Sequence, residues 1–373
     1  MKITARTLSG KVCDVQIDEH VFKKITVRKK DILDLPWIAP GLIDIQINGF
    51  AGVDFNRPIE SDDAWRHAAK QLYAHGCTGF LVALITNEEE GYRKLLTDLT
   101  GRINLDPRNC LGLHLEGPWL SAAYCGAHDN TQLRDPTPAE IDGLLAAGDG
   151  AIRMVTLAPE LPGSDDAISR LVDAGVVVAL GHTDASYERT RHAIELGATV
   201  GTHLFNAMRS VHHREPGPAL ALLQDPRVTV ELIADGVHVH PAMVNATIEA
   251  AGADRVALVT DATAAAGVGD GEFQLGTVGV DVVERVARVR GTSTIAGSTA
   301  TMDQLFGAVA GHGSDRDTAL AAAVRMTSTT PARTLGIDGA GSLRVGAEAN
   351  LVALEPDYRV SAVMVRGSWV TGR

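Results

Sequence analysis

The stretch Val176-Val177-Val178-Ala179-Leu180-Gly181-His182-Thr183-Asp184 holds the key to the architecture. Five apolar residues in a row, with no polar alternation, suit a parallel strand covered on both faces. The run then stops at a glycine followed by an imidazole, a hydroxyl and a carboxylate. Comparable runs recur at 38–47, 78–86, 111–117, 152–158, 199–206, 228–234 and 256–261. Between them lie helical patterns at 63–75, 138–147, 187–196 and 241–251, each followed by a glycine (Gly76, Gly148, Gly197, Gly252) of the kind that ends helices in a left-handed turn. Eight strand–helix units in series predict an α/β fold, a closed TIM-type (β/α)8 barrel ahead of a doubly wound open sheet.

A barrel of this kind takes roughly 250 residues, and the chain has 373. The surplus lies at the ends. Cys13-Asp14-Val15-Gln16-Ile17 and Ile25-Thr26-Val27 read as short strands, as do Asn350-Leu351-Val352-Ala353-Leu354 and Ala362-Val363-Met364-Val365. Both termini are expected to build one small β-sandwich domain (1–37 with 336–373) beside a barrel over 38–335. The net charge of −12 excludes a nucleic-acid partner, because phosphate backbones are held by basic faces. No run approaches the ~18 apolar residues of a membrane span. Met1-Lys2-Ile3-Thr4-Ala5-Arg6 has no apolar segment behind its charge, and Cys13, Cys77, Cys110 and Cys125 form no Cys-x-x-Cys pair. These features point to the cytoplasm.

Barrel enzymes carry their chemistry at the C-terminal ends of the strands, so the residues that close each run matter most. The third run closes with Leu113-His114-Leu115-Glu116-Gly117-Pro118, the fifth with His182, the sixth with Thr202-His203-Leu204-Phe205-Asn206, and the eighth with Leu258-Val259-Thr260-Asp261. Glu116, His182 and His203 form a three-ligand set for a divalent ion, Zn2+ by preference, with a position left for water. Asp261 on the same rim is placed to move protons. His114 lies one layer deeper and reads as an interior histidine. The first run offers Gln46 and Asn48 where many barrel metallohydrolases carry two histidines, and amides bind zinc poorly, so one metal is expected rather than two. The last lysine is Lys94, so no mid-barrel strand can supply a carbamylated lysine to bridge a metal pair. After the sixth run, Arg209 through Gly217 includes His212-His213-Arg214, a cationic cluster suited to a phosphate or carboxylate. Asp235-Gly236-Val237-His238-Val239-His240 offers one functional and one structural imidazole.

His-Leu-Glu-Gly-Pro around Glu116, Gly181-His182-Thr183-Asp184-Ala185, Thr202 through Met208, His212 through Gly217 and Leu258 through Ala262, taken in order along nearly the whole chain, resemble the N-acetylglucosamine-6-phosphate deacetylase family, a branch of the amidohydrolase superfamily. The resemblance implies removal of the acetyl group from N-acetyl-D-glucosamine 6-phosphate, giving D-glucosamine 6-phosphate and acetate, in amino-sugar catabolism and cell-wall recycling. It implies Glu116, His182 and His203 as metal ligands and Asp261 as acid and base, with His128 polarising the acetyl carbonyl. Ala127, Asn206, Ala207, Arg214 and His238 match sugar-phosphate contacts, and Ile295-Ala296-Gly297 matches a segment lining the sugar site. Gln46 and Asn48 are similar to the single-metal branch. A homodimer is implied, with the partner subunit contributing near the phosphate. Where the family often has lysine, this chain has Cys125. Two rival readings are a cyclic-amide hydrolase of the dihydropyrimidinase or hydantoinase kind and a non-catalytic barrel scaffold. The absent bridging lysine and the Gln46/Asn48 pair argue against the first, the complete set of Glu116, His182, His203 and Asp261 against the second.

Overall fold

The computed structural model describes residues 1–32, 34–105, 109–311 and 315–371. Eight parallel strands lie in sequence order in one sheet. The first to eighth barrel strands are Leu42–Ile47, Cys77–Ile85, Cys110–Glu116, Ile152–Leu157, Val177–Leu180, Val200–Gly201, Thr229–Leu232 and Val256–Leu258. A helix follows each of the first seven, from Asp62–Ala74 to Pro241–Ala251, and Met302–Ala310 follows the eighth after an insertion. Local chemistry sets these helices. In Asp62–Ala74, the Ser61 side chain caps the Ala64 amide, Asp62 and Asp63 sit at the positive end of the dipole, and Trp65, Ala68 and Leu72 form the buried stripe. The expected glycine stop at Gly148 shifts by one: Gly148 is helical, and Asp149 takes the left-handed conformation at φ 43°.

The interior of the barrel is packed by Ile43, Ile45, Leu81, Met154, Ala179, Val200, Ile233, Ala257 and Val259. A second, larger apolar layer lies between strands and helices, through residues such as Leu42, Val82, Leu180, Val230 and Leu258. This two-layer burial explains the uninterrupted apolar runs. The strands stop short of the polar residues that close the runs, so His182, His203 and Asp261 fall on the loops immediately beyond them.

The expected run at 38–47 is two strands. Trp37–Pro40 belongs to a seven-stranded sheet, pairing parallel with Lys2–Thr7 and antiparallel with Leu351–Leu354, and only Leu42–Ile47 enters the barrel. The crossing is at Gly41, where a Cβ would stand 2.1 Å from Thr78 Oγ1, so no larger residue fits. We therefore place the division between sheet and barrel at Gly41 rather than after Trp37. The terminal sheet also holds Val12–Asp18, Val21–Val27, Val360–Val365 and Ser368–Thr371. Its two ends approach each other: Val21 bridges Glu348, and the Gly367 amide donates to Ala349. One core forms inside, from Val15, Phe22, Ile38, Leu351 and Met364. Residues 372–373 of the expected terminal segment lie outside the described residues.

A three-stranded antiparallel sheet that the sequence reading did not anticipate follows the eighth strand: Gly271–Leu275, Val278–Val283 and Val286–Val289. Leu275, Val280, Val282 and Ala287 pack with Ile85, Ala265 and Ala296, which sets this sheet over one side of the barrel mouth.

The seam between the eighth and first strands closes by an unusual means. The ladder of eight strands gives way there to an isolated bridge, Ile47 with Ala262, and to backbone hydrogen bonds from Asp261 N to Gln46 O at 3.0 Å and from Asn48 N and Gly49 N to Ala262 O at 2.8 and 3.1 Å. Deeper in the seam the Asp44 carboxylate substitutes for a strand partner. It accepts from Thr260 Oγ1 at 2.5 Å, from the Thr260 amide at 3.2 Å and from the Gln46 amide at 3.2 Å. Burial lifts the Asp44 carboxyl to about 7 despite these bonds. Its folded value thus exceeds its unfolded one, so its proton-linked stabilisation is full at low pH and is lost as pH rises through about 7. Asp44→Ala should lower stability by about 3 kcal/mol by orphaning buried donors and remove that slope. Denaturation midpoints of both proteins across pH test this, and unchanged midpoints would show the seam does not need the carboxylate.

Candidate active site

Five side chains from four strand–helix units converge at the barrel mouth. Glu116 ends the third strand, and its Oε1 lies 2.8 Å from His203 Nε2, 3.1 Å from His182 Nε2 and 3.0 Å from Gln46 Nε2. The two Nε2 atoms are themselves 3.1 Å apart. His182 Nδ1 is 2.9 Å from the Tyr124 carbonyl, which can only accept, so the proton sits on Nδ1 and Nε2 offers its lone pair inward. Two imidazole nitrogens and a carboxylate facing one another, all buried, demand a cation between them. Burial alone would raise Glu116 and lower His203. Their mutual hydrogen bond and attraction reverse both, holding Glu116 well below the ordinary carboxylate range and lifting His203 to about 9. Without an ion, then, the cluster keeps a proton in its place. Glu116, His182 and His203 are a group that could hold a metal ion.

Asp261 lies on the same rim, with Oδ1 held by Asn48 Nδ2 at 2.6 Å. Burial first, and the Glu116 charge second, raise its carboxyl to about 6. His128 packs edge-on to His182, ring centroids 4.5 Å apart. The Thr86 amide, an obligate donor, points at His128 Nδ1 from 3.2 Å, so the proton is on Nε2, which lies 3.8 Å from Glu116 Oε2. Burial, then the neighbouring His182, lower His128 to about 3, so it is a neutral donor aimed into the cavity.

The backbone here is strained. His182, His203 and Asp261 all adopt positive φ (48°, 27° and 49°), as do Phe205 and Ala207. Each such residue costs on the order of 1–3 kcal/mol and persists only where its surroundings over-determine it. Those surroundings are visible. Glu160 accepts from Thr183 Oγ1 and the Asp184 amide, Thr183 N donates to Ala207 O, and Arg209 pairs with Asp184 at 2.7 Å. Asn56 ties the first-strand loop to the second strand by donating to Asn48 O and Ala83 O and accepting from Ile85 N.

A cavity of about 460 Å³ opens over this cluster. Of the residues singled out in the sequence, Asn48, Glu116, Ala127, His128, His182, His203, Asn206, Ala207, His238, Asp261, Ile295 and Gly297 line it. Gln46 lies beneath, bonded to Glu116. Ala296 is turned into the apolar cluster under the three-stranded insertion. Arg214 is exposed, 2.8 Å from His213 Nε2, and does not line the cavity. His238 faces the cavity and pairs with Asp235, whereas His240 caps the helix Pro241–Ala251. His114 is an interior histidine between Ile45 O and Thr156 Oγ1. Cys125 is half-buried and outside the lining. Sequence reasoning missed Ile85, Tyr124, Ile233, Leu275, Ser293 and Thr294, which also line the cavity. It also passed over Glu231, although a carboxylate in Val230-Glu231-Leu232 was a legible oddity in an apolar strand.

The amidohydrolase family model matches residues 37–370. The chain is 38% identical over 345 residues to N-acetylglucosamine-6-phosphate deacetylase of Bos taurus, covering 89% of this chain and 83% of that protein. It is 36% identical over 339 residues to N-acetylgalactosamine-6-phosphate deacetylase of Escherichia coli O157:H7, covering 90% and 88%. Among solved structures, a mutant N-acetyl-D-glucosamine-6-phosphate deacetylase from Mycobacterium smegmatis in complex with N-acetyl-D-glucosamine-6-phosphate superposes with a TM-score of 0.93 at 43% identity over 99% of each chain.

The donor set predicts that the protein retains a divalent ion through dialysis, measured by elemental mass spectrometry. His182→Ala and His203→Ala should each lose it. Full retention in both variants would place the ion elsewhere.

Proposed function

The chain belongs to the amidohydrolase family, and we propose that it hydrolyses the acetamide of N-acetyl-D-glucosamine 6-phosphate to D-glucosamine 6-phosphate and acetate. The observation that carries this reading is the meeting of Glu116, His182, His203, Asp261 and His128 in one cavity, in a chain that is 38% identical, over 89% of its length, to a deacetylase of that sugar phosphate. That relative also weighs against the cyclic-amide and scaffold alternatives.

Glu116, His182 and His203 would hold one divalent ion, zinc by the nitrogen and oxygen character of the donors. Gln46 and Asn48 leave the second position of two-metal barrels without imidazoles. When bound, the ion supplies acidity to a water molecule near neutral pH and polarises the acetyl oxygen. Asp261, with Oδ1 committed to Asn48, uses Oδ2 to take the proton of the attacking water and hands it to the departing amine. His128 Nε2–H donates to the developing oxyanion, where fixed charge contributes most. His238 and Asn206 orient the sugar, and the insertion carrying Leu275 and the segment Ser293–Ile295 shield it from bulk water.

The lining contains no lysine or arginine among the described residues, so the phosphate needs a cation from outside. Arg214 is exposed on the sixth loop, and on that same loop the exposed Val211 lines a shallow depression together with the exposed Met243. We assign these to a homodimer contact in which Arg214 reaches the neighbouring subunit's phosphate. The four unpaired cysteines support a reducing cytoplasmic setting, and no helix among the described residues is long and apolar enough to cross a membrane.

Metal-stripped protein should be inactive and regain acetate release from N-acetyl-D-glucosamine 6-phosphate on adding Zn2+. The galactosamine epimer is the comparison substrate, since one relative acts on it by name, and absence of acetate from both would end the proposal. Asp261→Asn should keep the ion and lose turnover at least ~10³-fold. Asp261 must be ionised to act as base, so kcat/KM should fall on the acid side, at or below its metal-free value of about 6 because a bound cation favours the carboxylate. Arg214→Ala should raise KM with kcat little changed. Mixing Arg214→Ala and Asp261→Asn subunits should restore activity, because a mixed dimer holds one intact site. No recovery after verified subunit exchange would put Arg214 in its own chain's site.

A further inference from the structure

Glu231 is the one charged residue of the seventh strand, fully buried between Val230 and Leu232, whose side chains face the helices. It shares its face with Ile233, in the packed interior of the barrel. A carboxyl placed there without a partner is costly, so its partners define its role. One oxygen, Oε2, accepts the His203 backbone N–H at 3.3 Å, and its backbone carbonyl accepts the Leu204 N–H at 2.8 Å. The sixth strand is only Val200–Gly201. Beyond it the chain bends into the left-handed conformation at His203, φ 27°, and can no longer pair by the regular ladder. The Glu231 carboxyl stands in for the missing ladder acceptor at the point of strain.

Two further atoms bear on this. Glu231 Oε1 and His203 Nδ1 are both buried and both lack a hydrogen-bond partner. His203 Nε2 faces Glu116 and His182. An imidazole that gives Nε2 to an ion must carry its proton on Nδ1, and that N–H then needs an acceptor. Metal-bound histidines commonly find one in a carboxylate.

We propose that Glu231 is a positioning residue for the metal centre. It fixes the His203 backbone through Oε2 and accepts the His203 Nδ1 proton through Oε1, directly or through one water, so that Nε2 points at the ion. This inference rests on the reading of His203 as a ligand. Nothing in it requires Glu231 to touch substrate.

The test measures Co2+ binding, by competition with a chromophoric chelator and by the visible absorption of the bound ion, in wild type, Glu231→Leu and Glu231→Gln. Leucine fills the space with no acceptor, and glutamine keeps one acceptor of the two. Glu231→Leu is expected to weaken Co2+ binding by about 10- to 100-fold and to change the absorption band. Glu231→Gln should fall between it and wild type. A purely structural carboxyl would move the melting midpoint of the metal-free protein and leave affinity and spectrum alone. That pattern, or wild-type affinity in Glu231→Leu, overturns the proposal. If the leucine variant does not fold, unchanged affinity and spectrum in Glu231→Gln overturn it equally. Wild-type protein that binds no Co2+ would sink the metal reading itself and this inference with it, whereas wild-type binding with no effect of either variant removes this inference alone.

Discussion

Closure of the barrel at the seam between Leu42–Ile47 and Val256–Leu258 is the geometric event on which the site depends. Gln46 and Asn48 come from one side of it and Asp261 from the other. The backbone bond from Asp261 N to Gln46 O brings them into register. Asn48 can then hold Asp261 Oδ1, and Gln46 can hold Glu116 Oε1. A seam paired only by a ladder would place strand residues side by side. Here the Asp44 carboxyl serves as the partner of Thr260 deeper in the seam, and the residues above it, joined by the backbone bonds from Asp261 to Gln46 and from Asn48 to Ala262, become the rim.

The rim is held at a cost that the rest of the fold must offset. Positive φ at His182, His203 and Asp261 and the burial of Glu116, Glu231 and Asp261 are each unfavourable by themselves. They coexist because each group has a defined neighbour: Tyr124 O for His182, Asn48 for Asp261, the two imidazoles for Glu116. Thr183, Ala207 and Arg209 lock the fifth and sixth loops together, so the imidazoles cannot relax apart. Rigid placement of this kind lets preorganised groups act without reorganising.

The legible part of the fold was whatever burial on two faces imposes on composition. Val176 through Leu180 had to be apolar because helices cover one side and the barrel interior the other, and the residue types closing each run followed from where strands end. The split at Gly41 was not legible, since Ile38-Ala39 and Leu42-Ile43 are equally apolar and buried, although Ile38 packs in the terminal sheet's core and Ile43 inside the barrel, with Ala39 and Leu42 sharing the layer between strands and helices. The insertion Gly271–Val289 alternates as a strand should in Phe273/Leu275 and Val278/Val280/Val282, but its place over the mouth depends on contacts with Ile85 and Ala296, far away in sequence. Glu231 was passed over because a lone acid in a strand has no meaning until the left-handed turn at His203 creates an amide for it to accept. Arg214 sits on the expected loop, yet a loop's position in the chain does not say which side of the rim its side chain takes.

Charge balance then sets how a sugar phosphate must lie. Of the buried acids at the mouth, Glu116 is held ionised and Asp261 titrates near 6. The inner end therefore carries two carboxylates near pH 7, whose charge the His203 proton offsets in part and a divalent ion in its place would neutralise. A phosphate brought there would add charge to a cavity lined by no arginine or lysine among the described residues. The acetamide is neutral and can occupy the inner end at little electrostatic cost. The anion is left to the outer edge, where water and, in the dimer proposed above, Arg214 of the partner subunit would be available. In the proposed function the orientation of the substrate thus follows from the separation of these charges, and that orientation would present the amide carbon to Asp261 and His128.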